Sequence, residues 1–165
     1  MHASVGMRTV RVEVGLEIAA SAEDVWQVLV DIGRYSQWNP FIREAAGVPE
    51  VGRRVTVRPR TSIGVLAFHP TVIACESPHE LRWRGRVVHD WLACGEHEFA
   101  IEELAPERVR LVQRMTFAGI APRVMRRRLA RESRAGFDAM NRAIARRLER
   151  ARPASPRSKR ERPRA

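Results

Sequence analysis

Residues 21–42 read SAEDVWQVLVDIGRYSQWNPFI. Ser21 is placed to cap a helix, and Asp24, three residues on, holds the position of a capping-box acid. Val25, Trp26, Val28 and Leu29 then share one apolar face. Gly33 ends that helix. IGRYSQW reads as a second short helical turn, closed by Asn39-Pro40. A turn needs the Asn-Pro pair, but it has no need of Trp38 and Phe41 beside it. Two rigid rings at this point either line the mouth of an apolar cavity or plug the end of a core.

On the N-terminal side, TVRVEVGLEI at 9–18 alternates. Val10, Val12, Val14, Leu16 and Ile18 share one parity, with Arg11, Glu13 and Glu17 on the other. That period of two predicts a half-buried strand. After Pro40, six further strands are expected: roughly 42–47, 52–60, 64–75, 80–87, 91–104 and 108–117. Turn signals separate them, at Val48-Pro49-Glu50, Ser62 to Gly64, Ser77-Pro78-His79 and Ala105-Pro106-Glu107. From Pro122 the period changes. Leu129, Ser133, Gly136, Phe137, Met140, Ile144 and Leu148 recur every three or four residues, which predicts one long amphipathic helix with Pro122 in its first turn. Beyond Arg152 three prolines and no apolar pattern predict a disordered basic tail. The expected organisation is one α+β domain over 7–150 and the tail at 151–165. Met7 is a candidate start, since residues 1–6 carry no pattern.

This order, β-α-α-β6-α, resembles the START-like (Bet v 1-like) helix-grip superfamily. More closely it resembles the bacterial polyketide cyclase/dehydrase and lipid-transport family. The stretches that carry the resemblance are 21–42, VGRRVTV at 51–57, LRWRGRV at 81–87, GEHEF at 95–99 and GFDAMNRAI at 136–144. It implies a curved antiparallel sheet of about seven strands wrapped around the C-terminal helix, with an internal cavity. It also implies a small hydrophobic ligand, lipid-like, polyketide-like or aromatic. The family includes cyclases and dehydratases as well as carriers, so no single reaction follows.

Strand parity tells which side chains face that interior. Phe99 and Ile101 oppose Glu96, Glu98 and Glu102, so His97 and Gly95 point inward. Val109, Leu111, Met115 and Phe117 take Gln113 with them, while Arg110, Arg114 and Thr116 face out. Leu81, Trp83 and Gly85 are inner on their strand, as are Leu66, Phe68, Val72 and Ala74 on theirs. Phe137, Met140 and Ile144 face them from the helix. Candidate ligand contacts are therefore Trp38, Phe41, Phe68, Trp83, Phe99, Met115, Phe117, Met125, Phe137 and Met140, with His97 and Gln113 as polar anchors. Methionines here supply either an adaptable wall or plain core. Gly136 leaves room for a ligand or for a large facing side chain.

Catalytic signals are sparse. There is no His-x-x-x-His or Cys-x-x-Cys pair, and no metal or cofactor is expected. HDWLACGEH at 89–97 gathers His89, Asp90, Cys94 and His97, but parity turns Cys94 and His97 to opposite faces. His97 is the one plausible general base inside, so an enzyme would be a metal-independent cyclase or dehydratase using His97. A binding module is the first expectation.

Charge is lopsided. The chain of 165 residues has net +11, and residues 123–165 hold 16 Lys+Arg against 4 Asp+Glu, so this end carries the whole excess. The arginine-rich end is either a solvated helix face with a solubility tail, or a contact for an anionic membrane surface or nucleic acid. No apolar run approaches the roughly 18 residues of a membrane span, no secretory signal is visible, and two unpatterned cysteines suit a reducing cytoplasm.

Overall fold

The computed structural model describes residues 9–61, 64–65, 67–87 and 93–151. Its elements run β1 (Val10–Ile18), α1 (Ala22–Val30), a 3-10 turn (Ile32–Arg34), α2 (Tyr35–Trp38), β2 (Ile42–Ala46), β3 (Thr56–Thr61), β4 (Gly64–Val65), β5 (Thr71–Glu76), β6 (Glu80–Val87), β7 (Ala93–Ala105), β8 (Arg108–Ala118), α3 (Ile120–Val124) and α4 (Arg126–Ala151).

At α1 the cap is realised in half. Ser21 Oγ accepts from the Asp24 amide at 3.1 Å, but its hydroxyl donates to the Asp24 carboxylate at 2.8 Å instead of leaving that acid to take a backbone N–H. Val25, Trp26 and Leu29 are buried.

All strand pairs are antiparallel. Five strands lie in the order β1-β8-β7-β6-β5, and three in the order β2-β3-β4. Bridges at Arg54–Thr71, where β5 begins, and Val57–Phe68, just before it, join the two runs. The sheet is thus a meander closed by pairing of the first strand with the last, with Val10 opposite Phe117 and Ile18 opposite Val109. α4 crosses it chiefly over β1. This is the curved α+β helix-grip architecture.

Two expectations need correction. The strand expected at 64–75 is split into β4 and β5. Phe68 makes only a local bridge, donating to Val57 O at 2.8 Å and accepting from Val57 N at 2.9 Å. Pro70 has no N–H to extend the ladder and serves only as acceptor, to Val55 N at 2.9 Å. The count after α2 is therefore seven strands, not six. The long helix does not begin at Pro122 either. Pro122 is buried inside the separate short helix α3, which Gly119 introduces at φ 111°, a conformation that favours glycine. Met125, at φ −94° and ψ 11°, ends α3, and α4 starts one residue later. The tail at 152–165, the first residues through Arg8, Leu66, and the His89–Asp90 pair lie outside the described residues.

Side-chain parity is enforced from both faces. Outside, Arg114 lies between Glu13 and Glu98 in register and pairs with both, at 2.9 and 2.7 Å, and with Glu102 at 3.4 Å. Arg82 and Arg84 meet Glu96 on the neighbouring strand. Inside, Val72, Leu81, Phe99, Ile101, Val109 and Leu111 are buried against Met140 and Ile144 of α4. A slip of one residue would invert both sets.

Candidate functional site

Five rings and one amide chain meet between α4 and the inner face of β6, β7 and β8. His97 on β7 is 4% exposed. Its imidazole stacks on Phe137 of α4, with centroids 4.6 Å apart and planes at 21°. Phe99 lies tilted at 4.2 Å, and Trp83 of β6 meets His97 edge-on at 5.7 Å and Phe99 at 5.2 Å. Phe41 closes the far side of Phe137 edge-on at 5.7 Å. At this level helix and sheet are in contact through the protein's own rings.

The Asn39-Pro40 turn sets where Phe41 packs. Asn39 Oδ1 accepts from the Phe41 and Ile42 amides, both at 2.9 Å, and this turn aims the Phe41 ring at α4. A Cβ on Gly136 would sit 2.3 Å from Phe41 Cδ2, so the space left by Gly136 belongs to that ring. Trp38 goes elsewhere. It is half-buried and packs edge-on against Tyr35 at 5.1 Å, whose hydroxyl donates to Leu29 O at 2.7 Å.

The polar groups form a directed chain. Gln113 Nε2 donates to Asn141 Oδ1 at 2.7 Å and to the Phe137 carbonyl at 3.4 Å. A carbonyl only accepts, which fixes the Gln113 amide orientation. Gln113 Oε1 is then the acceptor for His97 Nε2 at 3.0 Å, so Nε2 carries the hydrogen and Nδ1 the lone pair. Burial pulls the His97 pKa down to about 4, against a smaller opposing effect of the Gln113 hydrogen bond, so the ring is neutral at pH 7. At the other end, Asn141 Nδ2 is buried with no partner among the described residues. Leaving such a donor unmade costs on the order of 1–3 kcal/mol. Asn141 escaped the sequence reading. Its signal was a polar residue on the apolar stripe of α4, four after Phe137 and three before Ile144.

The interior loosens toward α3. Along β8, Val109, Leu111 and Gln113 are fully buried, whereas Met115 and Phe117 are only partly so. On β7, Gly95 beside them is half-buried, and an added Cβ there would touch Met115 at 3.4 Å and Phe117 at 3.6 Å. On α4, Phe137 and Ser133 are buried and Leu129 is half-buried, and Met125 just before it is 36% exposed. The structure thus brings together Phe41, Trp83, His97, Phe99, Gln113 and Phe137, with Met140 buried one turn along α4. Met115 and Phe117 adjoin this group at its looser end. Trp38 and Phe68 are half-buried against the wider core that includes Trp83 and Phe99, and Met125 stands apart from it. Among the described residues no three His, Cys, Asp or Glu side chains gather as metal ligands, and no helix is long and apolar enough to cross a membrane.

Against known proteins, residues 7–149 match the family model described as polyketide cyclase / dehydrase and lipid transport. The chain belongs to this family. Among curated protein sequences none matches it. Solved structures with the same fold do. A START superfamily protein from Mycobacterium smegmatis aligns with TM-score 0.69 at 19% identity, covering 86% of this chain and 99% of that one. The aromatase/cyclase Zhui from a Streptomyces species gives TM-score 0.70 at 17% identity, over 90% and 99%. Norcoclaurine synthase from Thalictrum flavum, in complex with dopamine and hydroxybenzaldehyde, gives 0.69 at 16% identity, over 90% and 91%. At such identities the likeness concerns the fold. The family frame accommodates both ligand-binding and cyclase proteins.

Proposed function

We propose that this protein binds a small hydrophobic molecule, lipid-like, polyketide-like or aromatic, between the sheet and α4. The observation that carries the reading is the polar chain His97–Gln113–Asn141, set in apolar surroundings and ending on an unpartnered donor. A core built only for stability would place apolar groups there. The ligand would enter at the looser end beside Gly95, Met115 and Phe117, and slide toward Trp83, Phe99 and Phe137. The His97 Nδ1 lone pair would accept from a hydroxyl of the ligand, and Gln113 would hold the ring in the tautomer that offers it.

Native mass spectrometry of freshly purified protein tests this directly. A co-purified molecule that survives gentle ionisation and disappears on denaturation is expected. Met115→Trp, which fills the looser end, should abolish the adduct. His97→Gln should weaken it about tenfold, the equivalent of one hydrogen bond. No adduct, together with no binding of a fluorescent naphthalene-type probe to the unmodified protein, overturns the reading.

A second reading, a cyclase or dehydratase with His97 as the acid/base group, is favoured by that same neutral imidazole. A pKa of about 4 makes it a weak base near neutrality, which counts against it. His97→Ala separates the two: in a carrier binding falls by about the same tenfold but persists, and in an enzyme turnover collapses. Nucleic-acid or ribosome contact through 123–165 is a third reading. Deletion of 151–165 that leaves a pull-down and its salt sensitivity unchanged removes the tail from it.

A further inference from the structure

α3 is five residues long, and its outer side is apolar. Ile120 is 59% exposed and Val124 80% exposed, one turn apart and therefore on the same face. Met125 follows at 36%. The inner side is occupied: Pro122 is buried and Ala121 half-buried. A soluble helix turned to water has the opposite arrangement. Around this apolar tip stand Arg123, Arg126, Arg127 and Arg131, all exposed. Among the described residues, none of the four pairs with a carboxylate, although Arg142 on the same helix takes Asp138 at 2.9 Å. No described carboxylate takes up their charge. α3 also contacts β7 and β8, at the end where Gly95 and Phe117 are incompletely covered.

We propose that α3 and the start of α4 form a docking surface for an anionic lipid bilayer. Ile120 and Val124 enter the interfacial layer, and the four arginines lie on the headgroups around them. The pairing of features selects this partner. Phosphate backbone would account for the arginines but gives bare Ile and Val side chains nothing to bury against. An apolar protein groove would account for Ile120 and Val124 but not for four arginines that no described carboxylate pairs. A bilayer rich in anionic headgroups satisfies both at once, because apolar insertion and charge attraction act at the same depth. Docked in this way, the loosely covered end of the interior faces the lipid. The proposal stands whether or not that interior takes a ligand.

The test uses the full chain and co-sedimentation with vesicles of phosphatidylcholine alone or mixed with phosphatidylglycerol. The unmodified protein should partition onto the mixed vesicles and not onto phosphatidylcholine. Ile120→Ser with Val124→Ser should lower that partition by about tenfold or more, since each exposed side chain loses its apolar transfer. Arg123→Gln, Arg126→Gln and Arg127→Gln together should lower it comparably and flatten its dependence on salt. All variants keep residues 152–165, so any binding by that segment is common to them. The substituted side chains are exposed, and circular dichroism should show an unchanged fold. Equal partition of the Ile120/Val124 variant and the unmodified protein overturns the proposal. So does equal binding to both vesicle types. So does dependence on the arginines alone, which is the signature of simple charge adsorption.

Discussion

The two ends of the space between the sheet and α4 are built from the same residue types but filled differently. At one end Leu81, Ile101, Val109, Leu111, Met140 and Ile144 interlock and are buried. At the other, Met115, Phe117 and Leu129 occupy equivalent inward positions and stay partly uncovered. The chain His97–Gln113–Asn141 divides the two. Position along the strand therefore decides what a hydrophobic residue does here. Toward the β7–β8 turn it is fully buried core, and toward α3 it stays partly uncovered. The lesson is that inward parity alone does not identify a ligand contact.

Substitutions should expose the contrast. Leu111→Ala, at the packed end, should cost about 2–5 kcal/mol in chemical denaturation, because the cavity cannot collapse. Met115→Ala, two inward positions along β8, should cost well under half as much. Equal losses would mean that the looser end is as tightly packed as the other.

The divider itself should be sensitive to pH. Free His97 takes up a proton near 6.5, whereas in the fold burial delays this to about 4. Between these values the unfolded chain holds more protons, so stability rises with pH across the window. The difference corresponds to about 3 kcal/mol between pH 4 and pH 7. Unfolding free energies of the unmodified protein and of His97→Gln, compared at both pH values, should isolate this component. A pH dependence unchanged in His97→Gln would place it elsewhere.

A smaller effect sharpens the account of Phe41. Gly136→Ala improves helix propensity by about 1 kcal/mol. Here it should nonetheless destabilise by about 1–3 kcal/mol, since the new methyl displaces the Phe41 ring. Phe41→Leu in the same chain should recover part of the loss. Additive losses in the double variant would show that the two positions do not touch.

Much of this molecule is readable from local pattern. Alternation along β7 and β8 places His97 and Gln113 inside, since a strand turns successive side chains to opposite faces and the glutamates and arginines occupy the other face. The α4 stripe follows from the helical period in the same way. Local pattern misleads where one residue interrupts it. Met125 breaks the helix without disturbing the three-to-four spacing across it, and Pro70 removes a donor from a run that otherwise reads as one strand.

Periodicity thus determined which faces turn inward and which outward, because those are properties of a single strand or helix. Only the tertiary structure decided what those faces meet: the Phe41 ring over Gly136, the amide direction set by the Phe137 carbonyl, and the link from Gln113 to Asn141 across 28 residues. Such contacts depend on how far apart two elements pack and in what register. No element encodes that distance alone.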